Sequence, residues 1–185
     1  TPNSQESITC EAENIQDIDN DNVTLHYTWS INGVIQEETS NVLTGPFSVQ
    51  DRIECSVSSN DGRVDGDTLT QEVIIANTAP SLSTIEIIPD QMIYADSTLQ
   101  CSATGEDFDG ENVEILYRWT DSFGIQVGDS QYLDLLYHNS SVGEEITCTA
   151  TTVDPHGAED SLTASIFIEN SLPQWIQEAT ITGVP

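Results

Sequence analysis

The chain repeats one pattern at a spacing of about 90 residues. Each copy carries a cysteine, an acidic loop leading into a Tyr-x-Trp segment, a second cysteine and a closing apolar run. The matched features are DIDNDNVTLHYTW at 17–29 and DFDGENVEILYRW at 107–119, Cys10 and Cys101, Cys55 and Cys148, and VIIANTAP at 73–80 and SIFIENSLP at 165–173. One Cys–Trp–Cys set in a repeat of this length is typical of a small β-sandwich. The sequence therefore predicts a tandem module, and repetition of one unit favours a structural role over catalysis.

The spacing of apolar and turn residues predicts strands throughout. Short apolar, β-branched runs are separated by Gly, Asn, Asp and Pro, and none of them has a helical period. A chain of 185 residues is long enough for two domains with small cores. We therefore predict an all-β chain with domains at 1–77 and 78–170, followed by a segment at 171–185.

The charge balance excludes two classes of partner. The chain has 32 acidic residues against three arginines and no lysine, so its formal net charge is -29. Such a surface repels nucleic acid and anionic lipid headgroups. The chain also has no apolar run of membrane-spanning length. The acidic residues either keep the protein soluble in salty water or collect divalent cations.

The cysteines indicate an oxidising compartment. All four lie at matched places in the two repeats, as in a disulfide-bonded extracellular protein. A tetrahedral zinc site would use closely spaced cysteine pairs, and the chain has none. We predict a secreted or cell-surface location.

The pattern Cys…DxDx(D/E)NVxxxYxW…Cys…D, closed by a strand and an Asn-x-x-Pro linker, resembles the Ig-like and PKD-like repeats of large bacterial and archaeal surface proteins. Cadherin-like modules are their structural relatives. The resemblance implies an extracellular array of Ig-like β-sandwiches, often stiffened by calcium, with one disulfide in each sandwich against a buried tryptophan. The residues so implied are the pairs Cys10–Cys55 and Cys101–Cys148, with Trp29 and Trp119 packed beside them.

Acidic residues recur at matched positions in two loops of each repeat. The loops before the Tyr-x-Trp segments carry Asp17, Asp19 and Asp21, and Asp107, Asp109 and Glu111; the loops after the second cysteines carry Asp61 and Asp67, and Asp154 and Asp160. In an Ig-like sandwich these two loops lie at one end, where a linker residue such as Asn77 is a further ligand by analogy with cadherins. Ca²⁺ takes about six to eight oxygen ligands, so we predict calcium binding, with solvated acidic turns as the alternative.

The histidines give no sign of catalysis. His26, His138 and His156 do not recur together, and none stands in a HExxH motif or beside a plausible nucleophile. His156 is a minor candidate metal ligand because it follows Asp154 closely. The chain has no Gly-rich phosphate-binding loop. We expect that the protein is not an enzyme.

Two Asn-x-Ser/Thr sequences match the N-glycosylation pattern, at Asn22 and Asn139. Both fall in predicted surface loops. Chance matches in an Asn- and Thr-rich chain are the alternative explanation.

The two ends of the chain indicate a serial arrangement. Only nine residues precede Cys10, too few for a linker and a first strand, whereas SLPQWIQEATITGVP at 171–185 resembles the linker and first strand of domain two, TAPSLSTIEIIPD at 78–90. We expect domain one to lack its own first strand and 171–185 to complete the next domain or subunit, through Trp175, Ile176 and Ile181. A covalent tandem array, strand exchange between subunits and a chain cut within a domain all fit this pattern.

The sequence thus predicts a structural or adhesive extracellular protein. In this hypothesis the chain is the repeat unit of a cell-surface array or filament, assembled head to tail from further copies of itself and stiffened by calcium. The alternative is a carbohydrate- or protein-binding accessory module of a secreted multidomain protein, with a cell-surface or glycan target. That alternative needs an exposed aromatic platform, for which the candidates are Phe123, Tyr132 and Tyr137.

Overall fold

The computed structural model describes residues 2–173, and this range is all-β with one turn of 3-10 helix at Leu135–Tyr137. The strands are β1 (Ile8–Thr9), β2 (Thr24–Ile31), β3 (Val34–Ile35), β4 (Val42–Leu43), β5 (Arg52–Asn60), β6 (Asp65–Ile74), β7 (Ser81–Ile88), β8 (Thr98–Glu106), β9 (Glu114–Thr120), β10 (Gln126–Gly128), β11 (Tyr132–Asp134), β12 (Glu145–Val153) and β13 (Glu159–Phe167). The prediction of two β-sandwiches is confirmed. The predicted assembly residues Trp175, Ile176 and Ile181 lie outside the described residues.

The described residues form two compact units. Unit 1 contains residues 2–80 and two loops from later in the chain, and unit 2 contains the remainder. The loops in unit 1 are Glu106–Val113 and Val153–Glu159, and the segments of unit 2 are Ser81–Gly105, Glu114–Thr152 and residues 160–173. Unit 1 therefore includes most of the acidic loop residues of the second repeat.

Unit 1 consists of a four-stranded sheet in the order β3-β2-β5-β6 and a two-stranded sheet in the order β1-β4. Trp29 in β2 pairs with Cys55 in β5, and Ile8 in β1 pairs with Leu43 in β4. The alternation of inward and outward residues along β5 buries every second side chain, as expected of a sheet with one face in the core. The buried core comprises Trp29, Leu43, Phe47, Ile53, Cys55, Val57 and Ile75.

Unit 2 repeats this plan with a larger second sheet. Its sheets have the orders β10-β9-β12-β13 and β11-β8-β7. The buried core comprises Ile87, Ile93, Leu99, Cys101, Trp119, Leu133, Leu135, Ile146, Cys148 and Ile168. The counterpart of β1 is β8, which has β7 on one side and β11 on the other, whereas in the described part of unit 1 β1 pairs with β4 alone.

Each unit has a disulfide and a buried tryptophan at its centre. The bridges are Cys10–Cys55 and Cys101–Cys148, as the resemblance implied, and no cysteine is free. The Trp29 indole N–H donates to the Ser40 carbonyl at 2.8 Å, and the Trp119 indole donates to Ser130 at the same distance. Both buried indoles are therefore satisfied, which explains how such a large amphipathic ring can occupy the core.

Truncation of a core side chain should destabilise the protein far more than truncation of an exposed one of the same type. Leu99 is fully buried and Leu136 is 61% exposed. We expect Leu99→Ala to lower the free energy of unfolding by about 2–5 kcal/mol, because it leaves a cavity among packed side chains. Leu136→Ala should change it by less than about 0.5 kcal/mol. Urea unfolding followed by near-UV circular dichroism measures both, and equal losses would contradict this core assignment.

Candidate metal centre

The loop Glu106–Val113 is folded by the first of its own acidic residues. An Asp107 side-chain oxygen (Oδ1) accepts the Asp109 amide at 2.7 Å, and the Asp107 carbonyl accepts the Gly110 amide at 3.1 Å. Gly110 has a φ of +77°, in the left-handed region where glycine has no steric cost. These bonds leave the second Asp107 oxygen, Oδ2, without a role in the turn.

The loop Val153–Glu159 is folded around Asp154, whose side chain is buried. Its Oδ1 accepts the amides of His156 and Ala158, each at 2.8 Å, and its Oδ2 accepts the Asn77 side-chain N–H at 2.7 Å. The bond from Asn77 is the largest influence on the pKa of Asp154. Together with the loop amides it outweighs burial and holds that pKa below its ordinary value. Asp154 is therefore a carboxylate at neutral pH.

Three acidic side chains meet where these loops come together. Ligand oxygens of Asp107, Glu111 and Asp154 all lie within 4.8 Å of one another. The other Glu111 oxygen, Oε1, lies 2.9 Å from Nε2 of the His156 ring. In residues 2–173 this is the one group of three acidic, histidine or cysteine side chains with such spacing. We call it, together with Asn77, the acidic cage.

Three buried oxygen atoms of the acidic cage have no hydrogen-bond partner among the described residues. They are Asn77 Oδ1, Asp107 Oδ2 and Glu111 Oε2. The Asn77 amide cannot be turned over to pair its oxygen, because the oxygen would then face the Asp154 carboxylate. Buried polar atoms are normally paired, so three lone oxygens in one cluster form a site that could hold a cation.

The charge and dimensions of the acidic cage favour a hard divalent cation. Two unit negative charges 4.8 Å apart repel by about 3.5 kcal/mol at an effective dielectric constant of about 20. Opposite ligands of Ca²⁺ lie about 4.6–5.2 Å apart, twice the usual Ca–O distance, so one ion reaches all three carboxylates. An all-oxygen donor set suits calcium or magnesium better than zinc.

Asp109 has a different role from its neighbours in this loop. Its Oδ1 accepts the Ser4 hydroxyl at 2.6 Å, and its Oδ2 accepts the Thr78 amide at 2.6 Å. Burial raises the pKa of Asp109, but the bonds from Ser4 and Thr78 together overcome it and lower that pKa. Asp109 thus anchors two other segments of unit 1. Sequence reasoning missed both residues: Ser4 stands in no motif, and Thr78 occupies an unspecified position of the Asn-x-x-Pro linker.

The other predicted ligands are placed elsewhere. Asp160 lies in β13, where its Oδ2 accepts the Leu82 amide at 2.8 Å at the start of β7. The side chains of Asp17 and Asp61 accept backbone N–H groups of their own loops. An Asp21 carboxylate oxygen lies 3.6 Å from a guanidinium nitrogen of Arg63. Asp19 and Asp67 are exposed. In the described residues the five first-repeat carboxylates form no group of three, so their role in metal binding stays a prediction.

The remaining candidate residues lie at the surface. Asn22 and Asn139 are both exposed, as a glycosylation acceptor must be. Phe123, Tyr132 and Tyr137 are exposed as well. Glycosylation and carbohydrate binding both stay predictions.

No helix in residues 2–173 is long and apolar enough to cross a membrane.

Comparison with known proteins adds little to this description. No protein-family model matches the chain, and no curated protein matches it. Among solved structures it is similar to the crystal structure of Drosophila N-cadherin EC1-4, at 19% sequence identity and a TM-score of 0.31. The match covers 91% of this chain and 46% of that chain, so this chain spans about half the length of that structure. A similarity at this level establishes neither a family nor a function.

Loss of the Ser4 hydroxyl should destabilise unit 1. Ser4 is fully buried and donates to the charged Asp109, whereas Ser7 in the same segment is exposed and makes no side-chain hydrogen bond among the described residues. We expect Ser4→Ala to lower the free energy of unfolding by about 1.5–3 kcal/mol, the range for bonds to charged groups. Ser7→Ala is the matched control and should have little effect. Chemical denaturation of both variants would contradict this role for Ser4 if their losses were equal.

Proposed function

We propose that this chain is a repeat module of an extracellular structural or adhesive protein, and that calcium bound in the acidic cage stiffens unit 1. The observation that carries the proposal is the set of three buried, unpartnered oxygens beside three converging carboxylates. A solvated acidic turn would expose such oxygens to water. Burial without partners is costly, and a bound cation would compensate for that cost.

The proposed ligands come from three separate parts of the sequence. Asp107 and Glu111 belong to one loop, Asp154 belongs to a second loop, and Asn77 follows β6 in the segment that leads to β7. When bound, calcium would supply positive charge shared among these oxygens. The ion would therefore cross-link segments that the backbone alone leaves independent, and water would complete its coordination.

The protonation state of Asp154 supports a ligand role over a catalytic one. A general acid needs a pKa raised towards neutrality, whereas hydrogen bonds lower the pKa of Asp154. Both Asp154 oxygens are also engaged by N–H donors. These features suit a carboxylate that stays ionised and fixed in place. We therefore propose a module without enzymatic activity.

The extracellular setting is supported by the cysteines and by the charge. All four cysteines are paired in disulfides, which persist in oxidising compartments. Extracellular calcium modules typically bind with Kd values of about 10⁻⁴–10⁻³ M. A chain with a net charge of -29 attracts divalent cations from its surroundings. We propose that the module works in series with further copies on a cell surface or in a filament.

Calcium should raise the melting temperature of the protein through the acidic cage. At a free Ca²⁺ concentration of about 100 times Kd, binding to the folded state alone adds about 2.7 kcal/mol of stability. For a protein of this size that corresponds to a rise of roughly 5–11 °C. EDTA should reverse it. Differential scanning calorimetry with and without calcium measures the shift.

Matched variants distinguish the acidic cage from general charge screening. Glu111→Gln removes one cage carboxylate and Asp129→Asn removes an exposed one outside the cage. We expect Glu111→Gln to abolish the calcium-dependent shift and Asp129→Asn to retain it. An equal shift in both variants, or no shift in the parent protein, would refute calcium binding at this site.

A further inference from the structure

Arg118 is an exposed cation on the outer face of unit 2, the side of its four-stranded sheet that points away from the core. It lies in β9, where the residues alternate between core and outer face. The other two arginines, Arg52 and Arg63, form ion pairs with carboxylates, whereas Arg118 forms none among the described residues. Asp129 follows β10, the strand beside β9, and it makes no ion pair with Arg118 either. Arg118 is therefore open to an anionic ligand.

The outer face around Arg118 is covered by hydroxyl side chains. Along β12 every second residue is buried, so the residues between them share the outer face with Arg118, as do the alternate exposed residues of β13. The hydroxyl residues on these two strands are Thr147, Thr149, Thr151, Ser161, Thr163 and Ser165. The centre of this face is thus polar and, apart from Arg118, uncharged.

Two hydroxyls in the middle of the face have no partner. The pairs on either side bond across the strands, Thr147 with Ser165 at 2.9 Å and Thr151 with Ser161 at 3.0 Å. The register set by these bonds places Thr149 opposite Thr163. Neither of these two hydroxyls makes a hydrogen bond among the described residues, so both can bind a ligand.

The strand register brings Arg118 next to Thr149. The side chain of Ser122, two residues beyond β9, bonds to the backbone of Glu145 in β12. Four residues back along β9 and four forward along β12 lie Arg118 and Thr149. Residues directly opposite in an antiparallel pair have Cβ atoms about 4.5–5.5 Å apart. Arg118, Thr149 and Thr163 therefore lie side by side on three neighbouring strands, and we call them the Arg118 patch.

Unit 1 differs at the matched positions. These are Thr28 in β2, Ser56 in β5 and Thr70 in β6, and Thr28 pairs with Ser56 as the register of the Arg118 patch requires. The Ser56 and Thr70 hydroxyls bond to each other at 2.9 Å. Both repeats thus have a hydroxyl-covered outer face, but the unpaired cation and hydroxyls occur together in unit 2.

The surroundings of the Arg118 patch fit a single carboxylate better than a polyanion. A guanidinium binds a carboxylate through two parallel N–H bonds, and threonine hydroxyls can donate to the same oxygens. Along the strands, four residues or about 13 Å separate the patch from Glu114 in β9 and from Glu145 in β12. That exceeds the Debye length of about 8 Å at physiological ionic strength, so salt screens one bound anion from these carboxylates. A polyanion would extend towards both.

The composition of the outer face favours a glycan over a protein partner. Protein interfaces have an apolar, often aromatic core at their centre. In β9, β12 and β13 the large exposed apolar side chains are Leu116 and Phe167, which lie on opposite sides of the Arg118 patch. Threonine and serine hydroxyls both donate and accept, so they match the hydroxyls of neutral sugars.

We propose that the Arg118 patch binds the carboxylate of a uronic acid within an otherwise neutral glycan. Arg118 pairs with the carboxylate, and Thr149 and Thr163 donate to it or to the hydroxyls of the adjoining sugars. The site lies in unit 2 and shares no residue with the acidic cage, so it stands independently of the calcium proposal. It adds glycan recognition to the structural role.

Two matched probes and the full chain in calcium-free buffer test this site. One probe is a neutral pentasaccharide with glucuronate as its central sugar, and the other has glucose there. We expect isothermal titration calorimetry to show that the parent chain prefers the glucuronate probe at least tenfold. Arg118→Gln should weaken that binding about 10–100-fold, the range for hydrogen bonds to a charged group. Arg52→Gln, which removes a paired arginine from the outer face of unit 1, is the control and should bind like the parent.

The hydroxyls are tested by threonine-to-valine variants, which keep the side-chain shape. Thr149→Val and Thr163→Val should each weaken binding of the glucuronate probe, whereas Thr147→Val, whose hydroxyl is already paired, should not. Asp129→Asn should bind at least as tightly as the parent, because it removes a nearby negative charge. Unchanged melting temperatures show that the variants are folded.

Equal affinity of the parent for both probes, or of Arg118→Gln and the parent for the glucuronate probe, overturns the proposal. Sedimentation velocity without glycan adds a further outcome. Self-association of the parent that Arg118→Gln abolishes, with no binding of either probe, assigns the patch to carboxylates of a second copy and also overturns it.

Discussion

Charge repulsion within the acidic cage is the constraint on which the proposed metal centre of unit 1 depends. Asp107, Glu111 and Asp154 are brought within 4.8 Å by loops whose own hydrogen bonds fix them there. His156 can offset one of these charges when protonated, but not three. The loops therefore carry an electrostatic cost that a bound divalent cation would remove. Asn77 ties the linker to the same cluster, so the cation would order the linker as well as the loops.

The two repeats can be compared position by position because they share one fold. They share a disulfide, a buried tryptophan with the same indole hydrogen bond, and an antiparallel four-stranded sheet. They differ in the strand that covers β8 and in the linker residues that meet the acidic loops. Both differences concern elements that stand directly before a domain in the chain.

The sequence predicted the fold well because the relevant signals are local or periodic. Matched Cys–Trp–Cys sets predicted both sandwiches, and the resemblance implied both disulfides. The ten acidic residues at matched loop positions included Asp107, Glu111 and Asp154. Repetition in the sequence could not distinguish candidate metal ligands from carboxylates that bond to other segments of the chain. Asp109 stands in the same pattern, yet it binds Ser4, which is 105 positions away and carries no motif. Asp160 likewise matched Asp67 by spacing but holds the Leu82 amide. Such assignments depend on which segments meet in space.

A crystal structure of the protein grown in calcium, with anomalous scattering data, tests the central claim most directly. The account predicts an anomalous peak about 2.3–2.6 Å from Asn77 Oδ1, Asp107 Oδ2, Glu111 Oε2 and an Asp154 oxygen. Water molecules at this position, or a cage closed by the protonated His156 ring with no anomalous signal, would contradict it.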